Sequence, residues 1–217
     1  MAPFVLYVVP TMFESKGWLG LNYETICTLK GLVVAAALWV FRGDYPPFAT
    51  KGCGLAVVTG AAGCVLWIVL ERVQAVIPGV QSFVDTVMQG GRAAYDPFAG
   101  DRSNAFRTAF IIVRLVELAA IVPVMEEVFW RGFLARYLLA DDFRSAPQGV
   151  FTPFSFLFVT LAFTSVHPEV LAAIVWGTLI NLLYRRTANL WACVVMHAVT
   201  NALLGGYILA TGNWHLW

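Results

Sequence analysis

Apolar residues arrive in long runs separated by short polar stretches. Seven such runs stand out: Ala2 to Phe13, closed by Glu14; Ile26 to Phe41; Cys53 to Leu70, closed by Glu71 and Arg72; one from near Arg107 that can continue as helix to Ala140; Val150 to Val166; Val170 to Tyr184; and Leu190 to Ala210. About 20 apolar residues carry a helix across a bilayer. Several runs are shorter than that, which predicts tilted or partial spans. The expected fold class is all-α: a polytopic membrane helix bundle of about seven or eight transmembrane helices around a polar cavity, forming one domain over residues 1–217.

The longest polar stretch, Gln74 to Asn104, holds Pro78, Gly79, Gly90, Gly91, Pro97 and Gly100. It reads as an extramembrane loop with a short helix around Ser82 to Met88. The first run lacks a positive leader and a small-residue cleavage site, so it does not read as a signal peptide. Arg42 and Lys51, Arg136 and Arg144, and Arg185 and Arg186 occupy three loops that fall on one side, which the positive-inside rule assigns to the cytoplasm. Lys16, Arg72, Arg92 and Arg102 oppose that assignment.

Composition narrows the function. Of 217 residues, 59% are hydrophobic and 12% charged, against about a quarter charged in ordinary soluble domains. A soluble enzyme, a disordered segment and a basic nucleic-acid binder are excluded. The net charge of +1 exerts no long-range pull on acidic partners. Cys27, Cys53, Cys64 and Cys193 lie in or beside apolar runs and form no CxxC pair, so they read as small packing residues.

Ionisable groups inside hydrocarbon cost several kcal/mol and need a partner or a task. The run from Arg107 carries Met125-Glu126-Glu127-Val128-Phe129-Trp130-Arg131. Adjacent helical residues are turned about 100° apart, so the two carboxylates diverge. Arg131, four residues beyond Glu127, is spaced to offer it a planar fork. Glu126 is then left for chemistry, as a general base toward water; alternatively it lies on a solvated face. Pro123 predicts either a kink that turns Glu126 inward or a boundary between two helices. His197 and Asn201 share a helix face, and such a pair can hold an oxyanion; alternatively His197 is a packing residue. His167 precedes Pro168, where a helix ends or bends. It aims into a cavity or lies in a surface loop. Glu126 is about 15 Å of helix from Arg136, and His197 about 17 Å from Arg186, which puts both near mid-membrane. Zinc bound by two histidines and a glutamate is a lesser alternative, since no HExxH helix is present.

Together these stretches resemble a known family. Glu126-Glu127-Val128-Phe129-Trp130-Arg131, Phe163 to His167, and His197 to Asn201 match, in order, the EExxxR, FxxxH and HxxxN motifs of the CPBP intramembrane glutamic endopeptidases. That family includes Rce1-type CAAX prenyl proteases and bacteriocin-related processing and immunity proteins. Pro123-Val124-Met125-Glu126-Glu127, His197-Ala198-Val199-Thr200-Asn201 and the tail from Ala210 to Trp217 are similar to a CAAX prenyl protease-related subgroup found with exosortase and PEP-CTERM systems. The match covers about residues 106 to 217. The resemblance implies that Glu126 and His167 activate water, that His197 and Asn201 stabilise the oxyanion, and that Glu127 and Arg131 support the site. It implies no cofactor and no metal. It also implies a membrane-associated protein or peptide as substrate, the lipid bilayer as surroundings, exosortase-system proteins as partners, no nucleic acid, and multi-pass residence in the inner (cytoplasmic) membrane. Two other classes remain open: a non-hydrolytic scaffold, immunity or lipid-binding protein whose polar residues specify packing, and a transporter using Glu126 and His167 as a proton relay.

Overall fold

The structure, a computed structural model, describes residues 1–11, 20–87 and 94–217. Lys16, Arg92, Met88, Gly90, Gly91 and the end of the first run beyond Thr11 lie outside the described residues. Within them the chain is helical and contains no strand. The helices are α1 Ala2–Thr11, α2 Tyr23–Val40, α3 Cys53–Ala75, α4 Pro78–Val87, α5 Asn104–Tyr137, α6 Pro153–Thr164, α7 Val170–Thr187 and α8 Leu190–Thr211. Four of them, α2, α3, α5 and α8, are long and apolar enough to cross a membrane. α1 and α6 are apolar but short.

Local chemistry explains the boundaries. Asn22 caps α2 by accepting from Thr25 N–H. Thr152 and Ser155 form a reciprocal capping box on α6, with Pro153 at its first turn. Asn189 caps α8, which ends at Gly212 with φ 71°. In the expected loop the described helix covers Pro78–Val87 and so starts four residues before Ser82, because proline suits a first helical position.

α8 and α7 form the centre of the bundle, with Met196, Ile180, Trp176, Tyr184 and, from α6, Phe163 among its buried side chains. α3 lies directly against α8. A Cβ on Gly60 would stand 2.6 Å from the Met196 carbonyl oxygen, and one on Gly63 2.9 Å from the Trp176 ring. Small residues allow this approach where no hydrophobic driving force exists between lipid-bathed helices. The approach lets Thr200 Oγ1 reach Gly60 C=O at 2.9 Å. Outward positions such as Leu32, Val58, Val65, Ile112, Phe154 and Leu161 are exposed and apolar, as lipid-facing positions should be.

The basic loops meet at one end. Arg144 pairs with Asp44 at 3.0 Å, Asn189 donates to the carbonyls of Ala49 and Lys51, and Trp191 donates to those of Pro46 and Pro47. Arg72 and Arg102 lie at the other end, against Tyr207 and Glu24.

Candidate functional site

Two distortions of α5 set the local geometry. Glu117–Ile121 and Val128–Leu134 are wound as π-helix, with Val122 N–H bonded to Glu117 C=O and Ala135 N–H to Trp130 C=O. Such turns recur at functional sites. Here they bracket the α-helical stretch Val122–Glu127. Helix persists through Pro123, so the expected boundary between two helices is absent. The next bond in the first π register would run from residue 123 to Leu118 C=O, and proline has no N–H. Asn201 of α8 takes that place, its Nδ2 donating to Leu118 C=O at 2.9 Å.

This bond makes a prediction. Asn201→Ala leaves the Leu118 carbonyl short of a donor, which costs about 1–3 kcal/mol. In a Pro123→Ala background the restored N–H takes over, so the same substitution should cost less. Thermal unfolding of the four proteins in detergent measures the coupling. Equal losses in both backgrounds would contradict the bond.

Glu126 and Glu127 both face the bundle, at 7% and 0% exposure. Glu126 is therefore not on a solvated face. It also has a partner: Trp130 Nε1 donates to its Oε2 at 3.3 Å. His197, Glu127 and Arg131 lie within its electrostatic range. Glu127 is more heavily engaged. Arg131 Nη1 contacts its two oxygens at 3.2 and 3.1 Å, and His197 Nδ1 lies 2.9 Å from Oε1. The expected two-nitrogen fork does not form. Arg131 Nε turns instead to Asn181 Oδ1 at 3.0 Å, so one nitrogen bridges both carboxylate oxygens. Asn181 in turn donates to Thr160 Oγ1 at 3.0 Å, tying α5, α7 and α6 together.

His167 lies in the loop that follows α6 and is half-buried. Its ring stacks on Phe163 at 4.2 Å and meets Trp67 edge-on at 5.6 Å. Nδ1 lies 2.8 Å from Phe163 C=O. A carbonyl only accepts, so Nδ1 carries a proton, and when the ring is neutral Nε2 is its acceptor nitrogen. Phe163 connects the site: it stacks on Trp176 at 5.3 Å and contacts Trp130 edge-on at 6.0 Å, while Trp176 meets the His197 ring at 4.8 Å. The structure thus gathers Glu126, Glu127, Arg131 and His197 directly, and links His167 to them through aromatic rings. Asn201, on the same helix as His197, points its amide at the α5 backbone.

A cavity of about 490 Å³ opens at the basic-loop end, lined by Phe41, Tyr45, Gly132, Phe133, Arg136 and Tyr184 among others. Glu126, His167 and His197 do not line it. Burial, then Asp44 beside it, pushes the Tyr45 phenol up, so its hydroxyl stays protonated. Among the described residues no three His, Cys, Asp or Glu side chains are grouped as a metal ion requires.

Trp130, Asn181 and Thr200 were not singled out from sequence. Trp130 stands four residues after Glu126, a spacing that signals contact. Asn181 is a lone amide in an apolar run. Thr200, which accepts from Trp176 Nε1 at 3.1 Å, carries no such signal.

Residues 108–203 match the family model described as Type II CAAX prenyl endopeptidase Rce1-like. No curated protein and no solved structure matches the chain.

Proposed function

We propose, from the premise that this chain belongs through residues 108–203 to the Rce1-like family, that it is a multi-pass membrane endopeptidase using a metal-free glutamate and histidine mechanism. The observation that carries this reading is the division of labour between two adjacent buried carboxylates. Glu127 is held by Arg131 and His197, whereas among the described residues Glu126 accepts one long indole bond.

In the proposed reaction Glu126, with His167 Nε2, takes a proton from water as the water oxygen attacks the scissile carbonyl. The negative oxygen accepts from His197 Nε2–H and from the second amide hydrogen of Asn201, the first being held by Leu118. For His197 to donate through Nε2 its ring carries both protons, and Glu127 is the counter-charge. Collapse of the tetrahedral intermediate sends the proton from Glu126 or His167 to the leaving amine. Arg131 keeps Glu127 in place. The substrate is a membrane-associated protein or peptide. Exosortase-system proteins are the proposed partners, the whole chain the catalytic unit, and the inner membrane its location.

The test is cleavage of membrane-tethered peptides in proteoliposomes containing ¹⁸O-water, read by mass spectrometry. One ¹⁸O atom is expected in each new C-terminal carboxylate, with no loss of rate on adding a zinc chelator. His167→Ala should slow the reaction about 10²-fold or more. Full activity in that variant, or abolition by the chelator, would overturn the mechanism. A second reading, a non-hydrolytic membrane scaffold, draws on the cavity lying away from Glu126. It predicts no new termini with any substrate.

A further inference from the structure

α3 lies outside the segment matched by the family, yet it touches the His167 turn twice. Trp67 meets the His167 ring. Seven residues on, two turns along the same face, Gln74 is 5% exposed. Sequence reading puts Gln74 at the start of a polar loop; in the structure it belongs to the last turn of α3. Both ends of its amide are engaged. Nε2 donates to Pro168 C=O at 2.8 Å, and Oε1 accepts from Leu171 N–H at 3.1 Å.

Both partners sit at a weak point of the chain. α6 ends at Thr164 and α7 begins at Val170. Glu169, the residue before α7, supplies no side-chain cap, so the first-turn Leu171 N–H needs an acceptor from elsewhere. Pro168 contributes no N–H of its own, and its carbonyl follows His167 directly in the chain. One side-chain amide therefore ties the backbone within the break to the first turn of α7. On the near side, His167 N–H bonds Thr164 C=O at 3.0 Å and its ring bonds Phe163 C=O. His167 is thus aimed from two directions, by α6 and by α3.

We infer that Gln74 is a positioning residue for His167, fixing the ring so that Nδ1 faces Phe163 and Nε2 faces the reacting water. This rests on the proposed role of His167 only for its effect on rate. The imidazole geometry can be read without any substrate. The chain has three histidines, so ¹⁵N-histidine NMR of the whole protein in nanodiscs, with His197→Gln and His215→Gln for assignment, isolates the His167 signals. The wild type should show a single Nδ1–H tautomer.

Gln74→Leu removes both bonds, and should mix the tautomers or broaden the signals. In the cleavage assay it should lower kcat about 10- to 100-fold with KM little changed, as misplacement of a reacting group does. Gln74→Glu retains the acceptor for Leu171 N–H and loses the donor to Pro168 when ionised, so it serves if the leucine variant fails to fold. It should disturb the signals less at low pH, where its carboxyl donates, than at high pH. Unchanged His167 signals in a folded variant would overturn the positioning role. Altered signals with an unchanged rate would support positioning and instead remove His167 from the chemistry.

Discussion

Glu126→Gln is expected to abolish peptide cleavage while leaving the fold intact. Glutamine matches glutamate in shape, and its Oε1 can still accept from Trp130 Nε1, the bond that holds Glu126 in place. Removing the charge also relieves the cost of a carboxylate at 7% exposure, so the thermal midpoint should hold or rise. What disappears is the ability to take a proton. General-base catalysis contributes typically 10²–10⁴-fold, and the rate in proteoliposomes should fall by at least about 10³. A variant with unchanged turnover would take Glu126 out of the reaction; one that is inactive because it has unfolded would reveal a structural carboxylate instead.

Glu127→Ala should have the opposite profile, a large loss of stability before any question of activity arises. Arg131 and Glu127 are wholly buried, and the carboxylate also holds His197. Removing one member of a buried pair leaves an uncompensated charge and costs about 3–5 kcal/mol. Arg131 Nη2 already has no hydrogen-bond partner, so little slack exists to absorb the change. Folded yield after detergent extraction should drop sharply. The paired replacement Glu127→Leu with Arg131→Leu should recover much of it, because an apolar pair of similar volume removes both charges together. A stable Glu127→Ala protein, as easily extracted as the wild type, would contradict the structural role.

Much of the architecture was legible because membrane helices announce themselves by length. Val170 and Leu190 are the first residues of both the expected runs and the observed helices. The Glu127–Arg131 contact was legible because it is local, four residues apart on one helix. The limits appear where a second helix decides. Asn201 was paired with His197 by spacing alone, but its amide turns to a carbonyl that Pro123 leaves short of a donor, 83 residues away in sequence. Arg131 does not present its fork, because Asn181 on α7 draws Nε aside. The π-wound turns leave no mark in apolar periodicity. Gln74 reads as loop because it follows Glu71 and Arg72 and precedes Pro78; its burial comes from Pro168 and Leu171, which lie 94 and 97 residues on in the chain and directly against it in the fold.

Gly60 and Gly63 allow α3 to press against Met196 and Trp176, and the same helix delivers Trp67 and Gln74 to His167. Cutting the chain at residue 106 would keep all three motifs and discard this wall. The stretch that records common descent is shorter than the stretch that must fold together, and an excised C-terminal half would inherit the signature without the means to hold it still.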